Sequence, residues 1–173
     1  VYNPAVRSYL NTYIYRRPEH TAMMLGWAAV YFPMFEKALA EEGLPTDLKY
    51  LSIVESALNP AAISRSGAGG LWQFMKPTAR ECGLKISSYV DERMDPDKST
   101  KAAVHYLKQL YAMFGNWELV MAAYNAGPGR VRAAVKRAGS SDYWKIARFL
   151  PEETRSYVPG FIAASYLMNF HDA

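Results

Sequence analysis

The chain is predicted to fold as a mainly α domain with at most a short β-hairpin, and three features of its 173 residues say so. Apolar side chains recur at three- and four-residue spacing in one stretch after another, which is the period of a helix face. Helix-stop signals punctuate those stretches at Gly83, Gly115 and Gly127-Pro128-Gly129. Residues 61–74, rich in small residues, read as non-helical, with room for two short strands at most. With 50% hydrophobic and 21% charged residues there is material for one sizeable core. Neither a repeat nor a linker is visible, so residues 1–173 are expected to form a single domain, 1–43 being a helical lead-in packed on a core of 44–173.

In chain order, 4–15 and 19–42 read as helices, the second broken or kinked where Pro33 lacks a backbone donor. Residues 44–58 follow as a helix capped by Thr46 and stopped by Asn59-Pro60, because the residue before proline is pushed out of the α region. Two short strands fit within 61–74, around a glycine loop, and 76–82 is a short helix closed by Gly83. Asp97 or Ser99 starts a long helix with a stripe of Ala103, Tyr106, Leu107, Leu110 and Met113, ending at Gly115. Residues 117–125 form a nearly all-apolar, buried helix, and 131–137, 142–149 and 151–169 complete the set.

Within 44–58 one residue is out of character. Leu48, Leu51, Glu55 and Leu58 share a helix face, so Glu55 points toward the core near the negative end of the helix dipole. Burial and dipole both disfavour the carboxylate, and a carboxyl kept protonated near neutral pH is what a general acid requires. The competing reading is an exposed flank, since Tyr50, Ile53 and Val54 blur the apolar face. Ser56 beside it reads as a helix-end hydrogen-bonding residue, because no histidine is near it in sequence and Gly-x-Ser-x-Gly is absent.

Ser64-Arg65-Ser66-Gly67-Ala68-Gly69-Gly70 leads directly into Leu71-Trp72-Gln73-Phe74, so the loop is either a close approach of backbone to a ligand or a surface turn. No Gly-Lys-Ser/Thr follows it, and the third glycine of the dinucleotide pattern is missing. Tyr124 and Asn125 bring a phenol and an amide to the end of a buried helix, where each must find a partner: a ligand, or each other's surroundings as a structural pair. Glu153 and Tyr157 lie one turn apart on one face, the alternative being an ion pair of Glu153 with Arg155 beside a core tyrosine.

Several functions are excluded or weakened. The apolar run from Met23 to Phe35 is interrupted by Gly26 and Pro33 and is too short for a bilayer, and Val1 opens no signal peptide, so the chain reads as a trimmed mature domain. A single Cys82 allows no internal disulfide, and His20, His105 and His171 lack ligand spacing, so no metal is expected. The charge is +4, from 20 basic and 16 acidic residues. Arg130, Arg132, Lys136, Arg137, Lys145 and Arg148 crowd one third of the chain, as a solvated face or a site for an anionic partner. Nucleic acid is the weaker of those partners, since no recognised binding signature appears.

Four motifs in order resemble the lytic transglycosylases with a goose-lysozyme-like catalytic domain, and most of all the membrane-bound lytic murein transglycosylase D group. They are Glu55-Ser56 with Asn59-Pro60, Gly70-Leu71-Trp72-Gln73-Phe74, Ala123-Tyr124-Asn125-Ala126-Gly127, and the run from Leu150 to Pro159. The resemblance covers 44–169 well and 3–43 more loosely; Trp72 stands where many relatives carry methionine, but suits the D branch. It implies a lysozyme-like helical domain that cuts the β-1,4 bond between N-acetylmuramic acid and N-acetylglucosamine in peptidoglycan, leaving 1,6-anhydro ends, with no metal or cofactor. Glu55 is then the acid and later the base, Ser64, Gln73, Tyr124, Asn125 and Glu153 are substrate ligands, and Tyr157 holds Glu55 or the sugar. A monomer in the periplasm or cell envelope, associated with the outer membrane through an anchor elsewhere, follows from the same resemblance. A goose-type lysozyme, a glycan-binding module without turnover and a helical interaction domain remain as alternatives.

Overall fold

The computed structural model describes residues 4–12 and 18–170. Among them the chain forms α1 (Pro4–Asn11), α2 (Pro18–Glu41), a 3₁₀ turn (Thr46–Tyr50) running into α3 (Leu51–Ser56), and α4 (Lys76–Glu81). A second 3₁₀ turn (Glu92–Met94) precedes α5 (Pro96–Phe114), α6 (Trp117–Ala126), α7 (Pro128–Ala138), α8 (Tyr143–Ile146) with its 3₁₀ extension (Ala147–Phe149), and α9 (Glu152–Phe170). The last three residues of the first predicted helix lie outside the described residues. The fold is mainly α, as the periodicity predicts.

The two strands expected within 61–74 reduce to isolated antiparallel bridges, Ile63 with Gly69 and Gly69 with Phe74. Gly67 and Gly70 have φ of 87° and 81°, and such residues interrupt an extended run. The predicted helix 44–58 also needs correction at both ends. Thr46 lies inside the 3₁₀ turn and caps nothing, and α3 stops at Ser56, before Asn59-Pro60 is reached. The stop is made by Ala57 and Leu58 at φ of 50° and 63°, with the Leu58 N–H returning to the Ser52 carbonyl. Pro33 does not break α2, which is assigned as helix on both sides of it.

At α5 the cap is Asp95, whose side chain accepts from the Lys98 N–H at 2.9 Å; Pro96, with φ fixed for a first helical residue, moves the start ahead of Asp97 and Ser99. Ala103, Leu107 and Leu110 are buried as predicted, but Met113 is 53% exposed, because the face continues at Phe114. The centre of the core is α6, where residues 119–123 are buried in succession and α5, α7 and α9 pack around them. Against this frame α9 also receives α1 and α3, with Val6 of α1 fully buried.

Trp72 ties the glycine loop to the helices. It is fully buried, its ring centroid is 4.9 Å from that of Phe35 on α2, and its indole N–H donates to Thr100 Oγ1 on α5 at 2.9 Å. Trp72→Phe should therefore cost roughly 1–3 kcal/mol through the lost hydrogen bond and the smaller ring. Urea unfolding checks it; an unchanged midpoint would show that the indole does not anchor the loop.

Candidate active site

Glu55 stands on the last turn of α3, half-buried, at the floor of an open cleft of about 710 Å³. The cleft is walled by the glycine loop (Ser64, Gln73), the end of α6 (Tyr124, Asn125) and α9 (Glu153, Tyr157). All seven residues singled out in the sequence line this one space. A second depression of about 510 Å³ shares Val54, Glu55, Ser64 and Gln73 with it, so Glu55 sits where two halves of one groove meet.

The phenol of Tyr157, 4% exposed, donates to Glu55 Oε1 at 2.6 Å. Burial pushes the Glu55 carboxyl up to about 8, against the lowering effect of the Tyr157 hydrogen bond and with added repulsion from Glu153. The same burial, and the closeness of Glu55, hold the Tyr124 and Tyr157 phenols well above the usual tyrosine range. No cation pairs with Glu55 among the described residues. With Oε1 accepting from a neutral phenol, a proton on this carboxyl belongs on Oε2.

The neighbours are spoken for in part. Tyr124 donates to the Trp72 carbonyl at 2.8 Å, and Asn125 Oδ1 accepts from the Thr154 hydroxyl at 2.8 Å, leaving its NH₂ for the cleft. The Gln73 NH₂ donates to the carbonyls of Gly70 and Ala62, at 2.9 and 3.1 Å, so its amide oxygen is what a ligand meets. Ser64 Oγ accepts from the Ala68 N–H at 3.0 Å and lies 2.9 Å from Ser66 Oγ, so it caps its loop as well as lining the cleft. Glu153 is exposed and makes no ion pair with Arg155.

Six further carboxylates are engaged elsewhere. Asp91 binds Arg93, Glu92 binds Lys98 and the Lys85 N–H, Asp97 binds Lys101, Glu118 accepts from the Trp144 indole, and Asp95 and Asp142 cap helices. Among the described residues, Glu152 and Glu153 are the carboxylates that line the cleft with Glu55.

What holds the loop in place is a residue that nothing in the sequence marks. Arg93, 2% exposed, donates through Nε and Nη2 to the Asp91 carboxylate at 2.9 and 2.7 Å, holding that carboxyl below its ordinary value. Its Nη1 donates to the carbonyls of Gly67 and Phe74, at 2.7 and 2.9 Å, clamping the loop at two points. A Cβ on Gly70 would fall 1.8 Å from the Arg93 carbonyl oxygen, so only glycine lets the loop lie this close. Gln73 itself is held at φ of 49°, which aims its amide back across the loop. Tyr9 of α1 also enters the cleft wall, as does Glu152, and the sequence signals neither.

Residues 32–147 match the family described as the transglycosylase SLT domain. The chain is 42% identical over 133 residues to the membrane-bound lytic murein transglycosylase D of Escherichia coli K12, covering 74% of this chain and 29% of that protein. It is 39% identical over 117 residues to the soluble lytic murein transglycosylase of Salmonella typhimurium, covering 63% of this chain and 18% of the relative. Among solved structures, the 70 kDa soluble lytic transglycosylase of Escherichia coli superposes with a TM-score of 0.70 at 30% identity, over 83% of this chain and 24% of that one. A complex of the 70-kDa enzyme with bulgecin A gives 0.70 at 28% identity, over 85% and 25%. The chain thus spans less than a third of the length of these relatives.

A carboxyl whose value is about 8 when folded and 4.5 when free makes stability depend on pH. Below 4.5 both states hold the proton and Glu55 contributes nothing; as pH rises toward 8 the unfolded chain releases it and the folded chain keeps it. Stability should fall across that window by a few kcal/mol, each pH unit within it costing ~1.4 kcal/mol, and level off above it. Glu55→Gln removes the dependence. Urea unfolding of both proteins at pH 5 and pH 8 checks it: the variant should gain on the parent at pH 8, and an equal difference at the two pH values would mean that the carboxyl is not desolvated.

Proposed function

The chain belongs to the transglycosylase SLT domain family, and from that premise we propose that it cuts the β-1,4 bond between N-acetylmuramic acid and N-acetylglucosamine in peptidoglycan without consuming water. The observation that carries this reading is Glu55: one desolvated carboxyl with a value of about 8, lining both of two adjoining depressions of about 710 and 510 Å³. The enzymes with which it shares its sequence are named for that reaction class.

In the proposed reaction the Oε2 proton of Glu55 passes to the bridging oxygen as the bond from that oxygen to the muramyl anomeric carbon breaks. Tyr157, donating to Oε1, keeps the carboxyl turned so that the proton faces the cleft. The substrate's own acetamido oxygen meets the positive charge that develops at the anomeric carbon. Glu55, now a carboxylate, takes the proton of the muramyl 6-hydroxyl as that oxygen bonds to the anomeric carbon; the 1,6-anhydro ring closes and Glu55 is protonated again. No second carboxylate is required, an exception to the usual pairing. A hydroxyl of the bound ring is already delivered by binding, and so outcompetes water.

The Gln73 amide oxygen and the Asn125 NH₂ are assigned to sugar hydroxyl and acetamido groups, with Ser64, Tyr124 and Glu153 completing the wall. Because Tyr9 of α1 shares that wall, we read the lead-in of 1–43 and the core of 44–173 as one domain. It acts as a monomer on glycan strands in the periplasm or cell envelope, without a cofactor.

Two measurements test this. Mass spectrometry of digested cell wall should find disaccharide-peptides one water lighter than hydrolysis products, with no new reducing ends. Reducing muramyl ends would leave a lysozyme using Glu153 to activate water, and no released fragments would leave a binding module. Glu55→Gln should reduce turnover at least a hundredfold, while kcat/KM of the parent enzyme falls as pH rises through about 8, where the acid loses its proton. A profile still rising at pH 9 would remove Glu55 from the role of acid.

A further inference from the structure

The basic run in the last third of the chain is not absorbed by the cleft. Arg130 and Arg137, two turns apart on α7, and Arg148, in the 3₁₀ turn after α8, wall a separate groove of about 830 Å³. The guanidinium carbons of Arg137 and Arg148 lie 4.9 and 4.7 Å from the centroid of the Phe149 ring, which holds both cations beside one aromatic surface. None of the residues lining the groove is acidic, and none of the three arginines has a carboxylate within ion-pair distance among the described residues. Like charges gathered without counter-charge repel one another, and stacking on Phe149 keeps two of them from dispersing. Such a cluster is an electrostatic footprint for an anion.

Its position names the anion. Gly127, just before the first residue of α7, lines the cleft and Arg130, in the first turn of α7, lines the groove; Pro151 lines the groove and the next residue, Glu152, lines the cleft. The two depressions share no residue but lie next to one another along the chain at both places. Alanines, Leu150 and Pro151 make the rest of the groove apolar, which suits a peptide with carboxylates better than a bare phosphate chain. Planar guanidinium forks take carboxylates in two-point contacts.

We propose that the Arg130–Arg137–Arg148 groove binds the carboxylates of the peptide branches carried by the glycan whose backbone lies in the Glu55 cleft. This rests on the function proposed above. In it, the cleft selects the sugar and the groove selects strands that still carry charged peptide.

The test separates the two readings by measuring binding without turnover. The whole chain is titrated with the isolated peptide branch of peptidoglycan, once with free carboxyls and once with them amidated. Free-carboxyl peptide should bind with an affinity that falls as salt rises, the amidated peptide should not, and Glu55→Gln should bind as the parent does. Arg137→Gln/Arg148→Gln should weaken binding roughly threefold to thirtyfold, as two partly exposed charge contacts allow. Arg130→Gln, in the first turn of α7 and away from the Phe149 ring, should weaken it on its own should the double variant fail to fold. In cell-wall digests the same variants should raise KM with kcat unchanged on peptide-bearing strands, and change neither on strands stripped of peptide. Equal binding of the amidated peptide, or variants that bind the free-carboxyl peptide as the parent does, would overturn the proposal. So would variants whose binding deficit appears only with inorganic phosphate or anionic phospholipid vesicles. Failure of the chain to cut any cell wall, with the binding results as expected, would overturn the function and leave the groove standing.

Discussion

A carboxyl kept in a polar but cation-free pocket is the constraint on which the site depends. Desolvation raises Glu55, and a lysine or arginine beside it would reverse that effect by favouring the charged form. The chain contains the contrasting case in Asp91, whose forked contact with Arg93 lowers it. One environment holds a proton ready and the other holds a charge fixed, and both stand against the same glycine loop. Acid–base roles follow from such opposed surroundings rather than from the residue type.

That pocket is built under backbone strain. Among the described residues, the left-handed residues other than glycine are Ala57, Leu58 and Gln73, which flank the site. Each such conformation costs on the order of 1 kcal/mol and persists only when the surroundings over-determine it. Leu58 is held by complete burial, and Gln73 by two hydrogen bonds from its own amide to the loop. The end of α3 is joined to the loop by Ser56, whose hydroxyl is 2.8 Å from the Leu71 carbonyl, and the loop is clamped at Gly67 and Phe74 by Arg93. The acid, the loop and α9 therefore keep their spacing as one rigid frame, which preorganised proton transfer requires.

Much of this was legible in the chain itself. A helix face of Leu48, Leu51, Glu55 and Leu58 states that a carboxylate faces the core, because local period alone decides which residues share a face. The extents of α5, α6 and α9 could be read to within a few residues, since Gly115 and Gly127 stop the first two and Pro151 precedes the third. Motifs in order also pointed to the residues that line the cleft. Positions of caps were less legible: Asp95, not Asp97, starts α5, because the adjacent proline decides the register of the first turn.

Spacing and periodicity do not say which groups meet: the resemblance offered Tyr157 either Glu55 or the sugar, and the tertiary structure decided. Tyr157 reaches Glu55 across 102 residues of sequence, and Arg93 reaches Gly67 across 26, contacts that no periodicity encodes. It also decided which carboxylates are spent on partners and which share the cleft. Spacing along a helix is fixed by backbone geometry and is written in the residues themselves. Distance between helices, and with it the dielectric around a carboxyl, is set by how every side chain in the core packs at once.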